Sequence, residues 1–194
     1  FGPSEAGHFI VMESLKSLET LLDENVLVIP RGALDVLDIK DGLNSDPGLL
    51  DKLLTYIRDE KTFLPRVEAE KSTDYIQIIP IGIMVHNRTV YLLKKKETDS
   101  AKRFHDRYMI WSGGHVRQED ATDTDNPLNK CLERELKEEL DVRASMKKEY
   151  LGVVYDKSNE KSRIHLGVAY VCNVSTPDIA LALMQTEFRE RKGR

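Results

Sequence analysis

Two periodicities divide the chain. In the first third, apolar residues recur at helical spacing over 14–22 and again over 48–59, where Leu49, Leu50, Leu53, Leu54 and Ile57 would share one helix face. Between them, residues 25–29 form a short apolar run of strand type, and Pro30, Gly32, Gly42, Pro47 and Gly48 cut the segment into short pieces. From Tyr75 the pattern changes. Residues 75–86 make one long apolar strand, Asn87-Arg88 a turn, and 90–93 the returning arm of a hairpin. Residues 107–111 lead as a strand into Gly113-Gly114, a helix succeeds them over 127–140, and 150–155 with 164–174 read as a second antiparallel pair. These elements predict an α/β (α+β) chain with a mixed sheet, in which an N-terminal extension, residues 1–73, packs on residues 74–194. Two readings of the chain's end stay open. Thr176-Pro177 could start an amphipathic helix through Ile179, Leu183 and Met184, or 186–194 forms a strand and turn and the last helix of the fold lies outside the chain.

The helix over 127–140 carries the densest chemistry. Asn126 is a good N-cap, Pro127 suits the first helical position, and no glycine or proline interrupts residues 128–140. Leu128, Leu132, Leu136 and Leu140 form an apolar stripe with Cys131 on its flank and Glu133 and Lys137 opposite. Glu135, Glu138 and Glu139 are not opposite that stripe but within an arc of about 100° that overlaps its edge. An ordinary solvated helix would turn such residues to water. Three carboxylates beside a core face repel one another and resist desolvation unless a cation neutralises them, and an all-oxygen set suits Mg²⁺ or Mn²⁺.

Composition narrows the class. A length of 194 residues allows one core plus an extension, and 32% charged against 40% hydrophobic residues is ordinary for a water-facing globule. A net charge of −4 and a pI near 5.8 argue against a general nucleic-acid-binding surface. Cys131 and Cys172 are too few and too far apart for a disulfide scaffold or a zinc site, and Cys131 reads as a small core residue. There is no apolar segment long enough to span a bilayer and no basic-then-apolar leader, so the cytoplasm is the expected compartment.

Gly114, the run Arg134-Glu135-Leu136-Lys137-Glu138-Glu139-Leu140 and Val142 match a known pattern: Gly, five residues, Glu, seven residues, Arg-Glu, an aliphatic, any residue, Glu-Glu, any residue, Gly, an aliphatic. In these residues the chain resembles the Nudix hydrolases. It departs at two places. Asp141 stands where the pattern has its second glycine, which predicts a weaker helix stop. Glu119 or Asp120 stands at the first glutamate, with Ala121-Thr122-Asp123-Thr124-Asp125 lengthening the gap to Arg134, a small polar insert expected to bulge from the loop. Phe63-Leu64-Pro65-Arg66 with Glu68 and Glu70, Gln77-Ile78-Ile79-Pro80, Gly113-Gly114-His115 with Asp120, and His165-Leu166-Gly167-Val168 together resemble a bacterial Nudix subgroup described as predicted phosphoesterases.

The resemblance implies an α/β/α sandwich around a mixed sheet. It also implies Glu138 and Glu139 as main metal ligands, Glu135 as third carboxylate and base, and the Gly113 carbonyl as a backbone ligand. Gly114 and Arg134 are then structural, with Arg134 paired to Glu119 or Asp120, and a distal ligand could come from Asp156, Glu160 or Glu187. Lys94, Lys95 and Lys96 with Arg103 and Arg107 read either as a solvated strand edge or as cations near a diphosphate. His115 could approach the phosphate or position its loop; His165 reads as a packed strand residue; Tyr108 and Trp111 read as core or as a base-stacking pair. The activity implied is metal-dependent hydrolysis of a diphosphate bond in a nucleoside diphosphate derivative, a small-molecule substrate, by a protein with a homodimer contact among its expectations. The alternative is a Nudix-fold sensor that binds a nucleotide without turnover, favoured if the insert splays the acids. Diphosphate isomerisation is a third reading, but it needs a reactive cysteine that neither thiol is placed to supply.

Overall fold

The computed structural model describes residues 24–95, 108–142, 145–175, 179–181 and 186–191; for 93–95, 108, 139, 141–142 and the last two segments it describes the backbone path alone. In chain order the elements are β1 (Asn25–Pro30), α1 (Ala33–Val36), β2 (Gly42–Asn44), α2 (Leu49–Glu60), β3 (Thr62–Pro65), α3 (Arg66–Ala69), β4 (Tyr75–His86), β5 (Thr89–Lys95), β6 (Tyr108–Met109), β7 (Ser112–Gly113), α4 (Pro127–Glu139), β8 (Leu140–Val142), β9 (Met146–Tyr155), β10 (His165–Val174), β11 (Ile179–Leu181) and β12 (Thr186–Arg191). Single 3₁₀ turns occupy Gln118–Ala121 and Ser162–Ile164. The helical spacing over 14–22 lies outside the described residues.

β4 organises everything else. One of its edges pairs in parallel with β10 from Gln77–His165 to Val85–Asn173, and β10 continues antiparallel into β9, so the sheet is mixed as its sequence suggested. The other edge is shared by three partners in turn: β1 at residues 75–77, β7 at Ile81 and Gly82, and β5 at Val85 and His86. Pro80 falls in the gap between β1 and β7, with its carbonyl toward β7, so its missing N–H leaves no ladder bond unmade. The β4–β5 hairpin closes on Asn87 and Arg88, both at positive φ (45° and 67°), the conformation of a type I′ turn that matches strand twist.

Helices α2 and α4 bury their apolar faces in one core with the sheet. Leu49, Leu53 and Ile57 from α2 and Leu128, Leu132 and Leu136 from α4 join Ile76, Ile78, Met84, Leu166, Val168 and Cys172. A Cβ on Gly82 would meet Cys172 Sγ at 3.1 Å and Leu132 Cδ1 at 3.3 Å, so this glycine lets α4 lie close on β4. A smaller cluster of Val26, Val28 and Ala69, with Leu64 and Tyr75, covers the opposite side of β1. Strands β1 and β2 and helix α2, all from the first third, thus share a sheet and core with the later elements.

Four expectations change. The chain's end does not make a helix at Ile179: Ile179–Leu181 pairs with Leu140–Val142, and Thr186–Arg191 pairs with β5 in the strand reading of this region. The basic residues Lys94 and Lys95 are therefore not on a free edge, because β12 and β6 flank β5 there. The expected strand over 107–111 is two short pieces, because the chain crosses from β5 to β4 at Ile110 and Trp111, which are exposed. Asp141 is not a left-handed helix stop; α4 ends at Glu139, Leu140 is already extended, and Asp141 joins β8.

Gly113 sits where a side chain has no room: a Cβ there would lie 2.1 Å from Pro80 O and 2.9 Å from Ile81 Cα, both backbone atoms that cannot swing aside. Gly113→Ala should lower stability by at least about 2 kcal/mol, because either β7 or β4 must shift. Equilibrium urea unfolding checks this, and an unchanged midpoint would contradict the close approach.

Candidate active site

The loop from Gly113 to Arg117 is held at both ends. Gly113 pairs with β4; three residues later Leu27 N donates to Val116 O at 2.8 Å and Val26 bridges to Arg117 on β1. Gly114 and His115 span the gap, and α4 packs beneath them. The helix starts as expected, with the Asn126 side chain accepting from Asn129 N at 2.9 Å and Pro127 at its first position. The insert before it stays at the surface: Thr122, Asp123 and Asp125 are exposed, and Lys130 Nζ donates to the carbonyls of Glu119 and Thr122.

Arg134 is the centre of the site. Its Nε and one terminal nitrogen donate to both oxygens of Asp120, at 3.0 and 2.8 Å, in a bidentate pair; the same terminal nitrogen donates to His115 O at 3.0 Å. Its other terminal nitrogen donates to Glu135 at 2.6 Å and Glu138 at 3.3 Å. Asp120, and not exposed Glu119, is therefore the acid that meets Arg134. Asp120 also accepts from Arg117 N at 2.9 Å and is buried. Burial alone would raise its pKa, but hydrogen bonds from Arg134 and the Arg117 amide outweigh that and hold the carboxyl below its usual range. The carboxylates of Asp120 and Glu135 in turn overcome burial to raise the Arg134 pKa further.

Gly114 explains how Glu135 reaches this cluster. A Cβ at Gly114 would lie 2.3 Å from the Glu135 carboxyl carbon, so the carboxylate rests in the space that glycine leaves. Glu135 is 9% exposed, whereas Glu138, one turn on, is open to solvent. The Glu139 side chain lies outside the described ones. The two described acids of the trio thus lie together on one guanidinium nitrogen and are not splayed by the insert.

The network extends to two residues that no motif marks, Glu24 and Arg117. Glu24 takes Arg66 at 2.7 Å on one oxygen and Arg117 at 2.6 Å on the other, while Arg117 reaches Glu138 at 3.6 Å. Burial opposes ionisation of Glu24, but its two arginines prevail and its pKa falls. A chain of alternating charges, Arg66–Glu24–Arg117–Glu138–Arg134–Asp120, ties the first third to the motif.

The remaining candidates are dispersed. The ring of His115 turns from the box acids toward Glu70 and His165, and burial pushes its pKa down to about 3, with the Arg66 charge adding to the effect. Asp156 closes a local turn by accepting from Ser158 N at 2.8 Å, and Glu160 is exposed on the same loop. Lys95 and Glu187 are described in backbone only, and Lys96, Arg103 and Arg107 lie outside the described residues. Cys131 is buried with Sγ 3.3 Å from His115 O, and burial pushes its thiol pKa up; burial likewise lifts Cys172 to about 11. Neither is a reactive thiol. Among the described residues no helix is long and apolar enough to cross a membrane.

The chain as a whole is similar to Tm1382, a candidate Nudix hydrolase of known crystal structure: TM-score 0.70 and 26% identity over 87% of this chain and 86% of that one. The fold is that of the Nudix hydrolases. At that coverage the likeness extends into the first third as well as the motif. Two further crystal structures are similar at lower scores. They are the Nudix domain of Shewanella oneidensis NrtR in complex with ADP ribose (14% identity, 62% of this chain and 75% of that one, TM-score 0.46) and a MutT/nudix family protein from Enterococcus faecalis (17%, 74% and 52%, 0.45). No family model and no curated protein matches the chain.

Asp120 is buried and Arg134 mostly so, and removing the Asp120 charge takes from the guanidinium its one bidentate carboxylate. Asp120→Asn is expected to cost about 3–5 kcal/mol, whereas Glu119→Gln should stay within about 0.5 kcal/mol; chemical denaturation of the two variants side by side checks this. Both Asp120 and Glu24 have depressed native pKa values. Their contribution is complete above the ordinary carboxylate pKa of about 4 and is lost as pH falls through the native values. Glu24→Gln should therefore flatten the loss of stability below about pH 4, read from melting temperature against pH.

Proposed function

We propose that the chain is a divalent-metal-dependent Nudix hydrolase that cleaves a phosphoanhydride bond in a nucleoside diphosphate derivative by attack of activated water. The observation that carries this reading is the placement of Glu135 and Glu138 on a single guanidinium nitrogen of Arg134, with the Glu135 carboxylate seated in the space left by Gly114. Two carboxylates held within reach of one cation, with an all-oxygen donor set, fit Mg²⁺ or Mn²⁺ better than a softer ion.

Glu138, open to solvent, would be a principal metal ligand with Glu139, while Glu135 and the carbonyl of Gly113 complete the set. When bound, the metal supplies a water of lowered pKa and neutralises charge on the phosphate oxygens. The side chains have separate duties. Arg134 fixes the directions of Glu135 and Glu138 and is itself fixed by Asp120. Glu135, partly withdrawn from water, is the candidate to take the proton of the attacking water. Arg117, which reaches Glu138 at 3.6 Å, would be the cation placed beside that carboxylate to contact substrate phosphate. Lys95, Arg103 and Arg107 are further cations proposed for the diphosphate.

A panel of nucleoside diphosphate derivatives, nucleoside triphosphates and dinucleoside polyphosphates, assayed for product release with and without magnesium, tests the reading. Glu138→Gln and Glu135→Gln should each lower kcat by about 10²–10³-fold or more. Gly114→Ala should lower activity with little loss of stability, since its Cβ displaces only the flexible end of Glu135. Metal-dependent nucleotide binding without turnover by the wild type would instead favour the sensor reading.

A further inference from the structure

We propose that Glu70, His115 and His165 form a second metal site, for a transition-metal dication with zinc preferred over magnesium, beside the box and independent of its carboxylates. The three residues come from the end of α3, the Gly113–Arg117 loop and the start of β10. Their ligand atoms all lie within 4.8 Å of one another: the Nε2 atoms of His115 and His165 are 3.9 and 4.0 Å from the same oxygen, Oε1 of Glu70. The two rings meet edge to face, centroids 5.7 Å apart at 69°, so both nitrogens converge on that oxygen without stacking.

These distances are too long for hydrogen bonds and too short for indifference. Buried His115 Nε2 has no hydrogen-bond partner, a costly condition for a polar atom that a cation would relieve. His165 is set up in the way metal-binding histidines are. Its Nδ1 lies 2.7 Å from Lys161 O and must donate to it, which leaves Nε2 as the lone-pair nitrogen facing Glu70. Gln77, in register with His165 on the neighbouring strand, is 1% exposed, and neither its amide nitrogen nor its oxygen has a hydrogen-bond partner. It is a second buried polar group beside the cluster that is left unsatisfied. A tetrahedral zinc with bonds of about 2.0–2.1 Å places its ligands about 3.3 Å apart, so modest side-chain rotation closes the site.

The chemistry of the donors sets the preference. Two imidazoles and one carboxylate suit zinc and its neighbours, whereas magnesium prefers oxygen throughout. The nearby cations do not forbid it: each is already ion-paired, Arg66 with Glu24, Arg117 with Glu24 and Glu138, and Arg134 with Asp120. Glu70 is 37% exposed and His165 27%, which gives an ion access from solvent. The motif residues Glu70, Gln77, His115 and His165, which the hydrolase reading leaves unused, all find a place here.

Chelator-stripped full-length protein, titrated with zinc in millimolar magnesium against a chromogenic chelator, should retain one equivalent. Glu70→Gln, at a surface position where folding is not at stake, and His165→Gln should each weaken binding by about 100-fold, whereas Glu138→Gln should leave it unchanged. Cobalt substitution should give visible d–d absorption in wild type and in Glu138→Gln but not in His165→Gln. Failure of the wild type to hold zinc, or loss of zinc in Glu138→Gln with retention in Glu70→Gln and His165→Gln, would overturn the site and leave the hydrolase reading untouched. Absent turnover with intact zinc binding would do the reverse.

Discussion

The site depends on one guanidinium. Arg134 lies on a helix whose other face is core, yet its five donors reach a carboxylate on the preceding loop, a backbone carbonyl of the glycine loop and two carboxylates on its own helix. No other side chain offers that many donors in a fixed planar fork, which is why lysine is not an equivalent here. The bidentate grip on Asp120 sets the plane of the fork, and the plane sets where Glu135 and Glu138 point. A buried pair of this kind adds little net stability against an apolar alternative, but it specifies an arrangement that an apolar core could not.

The loop above the helix is constrained by space more than by charge. Gly113 is needed because β4 backbone lies where its side chain would be, and Gly114 because the Glu135 carboxylate does. Adjacent glycines thus answer to different demands, one architectural and one chemical. With Gly113 tied to β4 and Val116 to β1, the loop forms a short bridge across the split edge of β4, and α4 packs against it.

Much of this was legible in sequence, and the illegible parts have physical reasons. Period-2 and period-3.6 patterns located β1, α2, β4, α4 and β10 because each buries a continuous apolar face. The short β2, β3 and α1 were invisible, since three or four residues hold no period. The helix reading at Ile179 failed because a pairing partner, β8, competed for the backbone, and pattern alone cannot see partners. The motif drew attention to Arg134 and the glutamates, but it could not choose which of Glu119 and Asp120 meets Arg134. That choice is made by the 3₁₀ turn at Gln118–Ala121, which buries Asp120 and turns Glu119 to solvent. Glu24 and Arg117 carried no signal at all: an ion pair across 93 residues leaves no local trace.

His115 shows why the two donor sets can coexist. Its carbonyl belongs to the box, accepting from Arg134 at 3.0 Å, while its ring belongs to Glu70 and His165 on the other side of the loop. One residue therefore separates an oxygen-rich set suited to hard ions from a nitrogen-rich set suited to borderline ones. Two ions of different character can then be held on the two sides of one loop without competing, because selectivity is divided by ligand type and not by affinity alone.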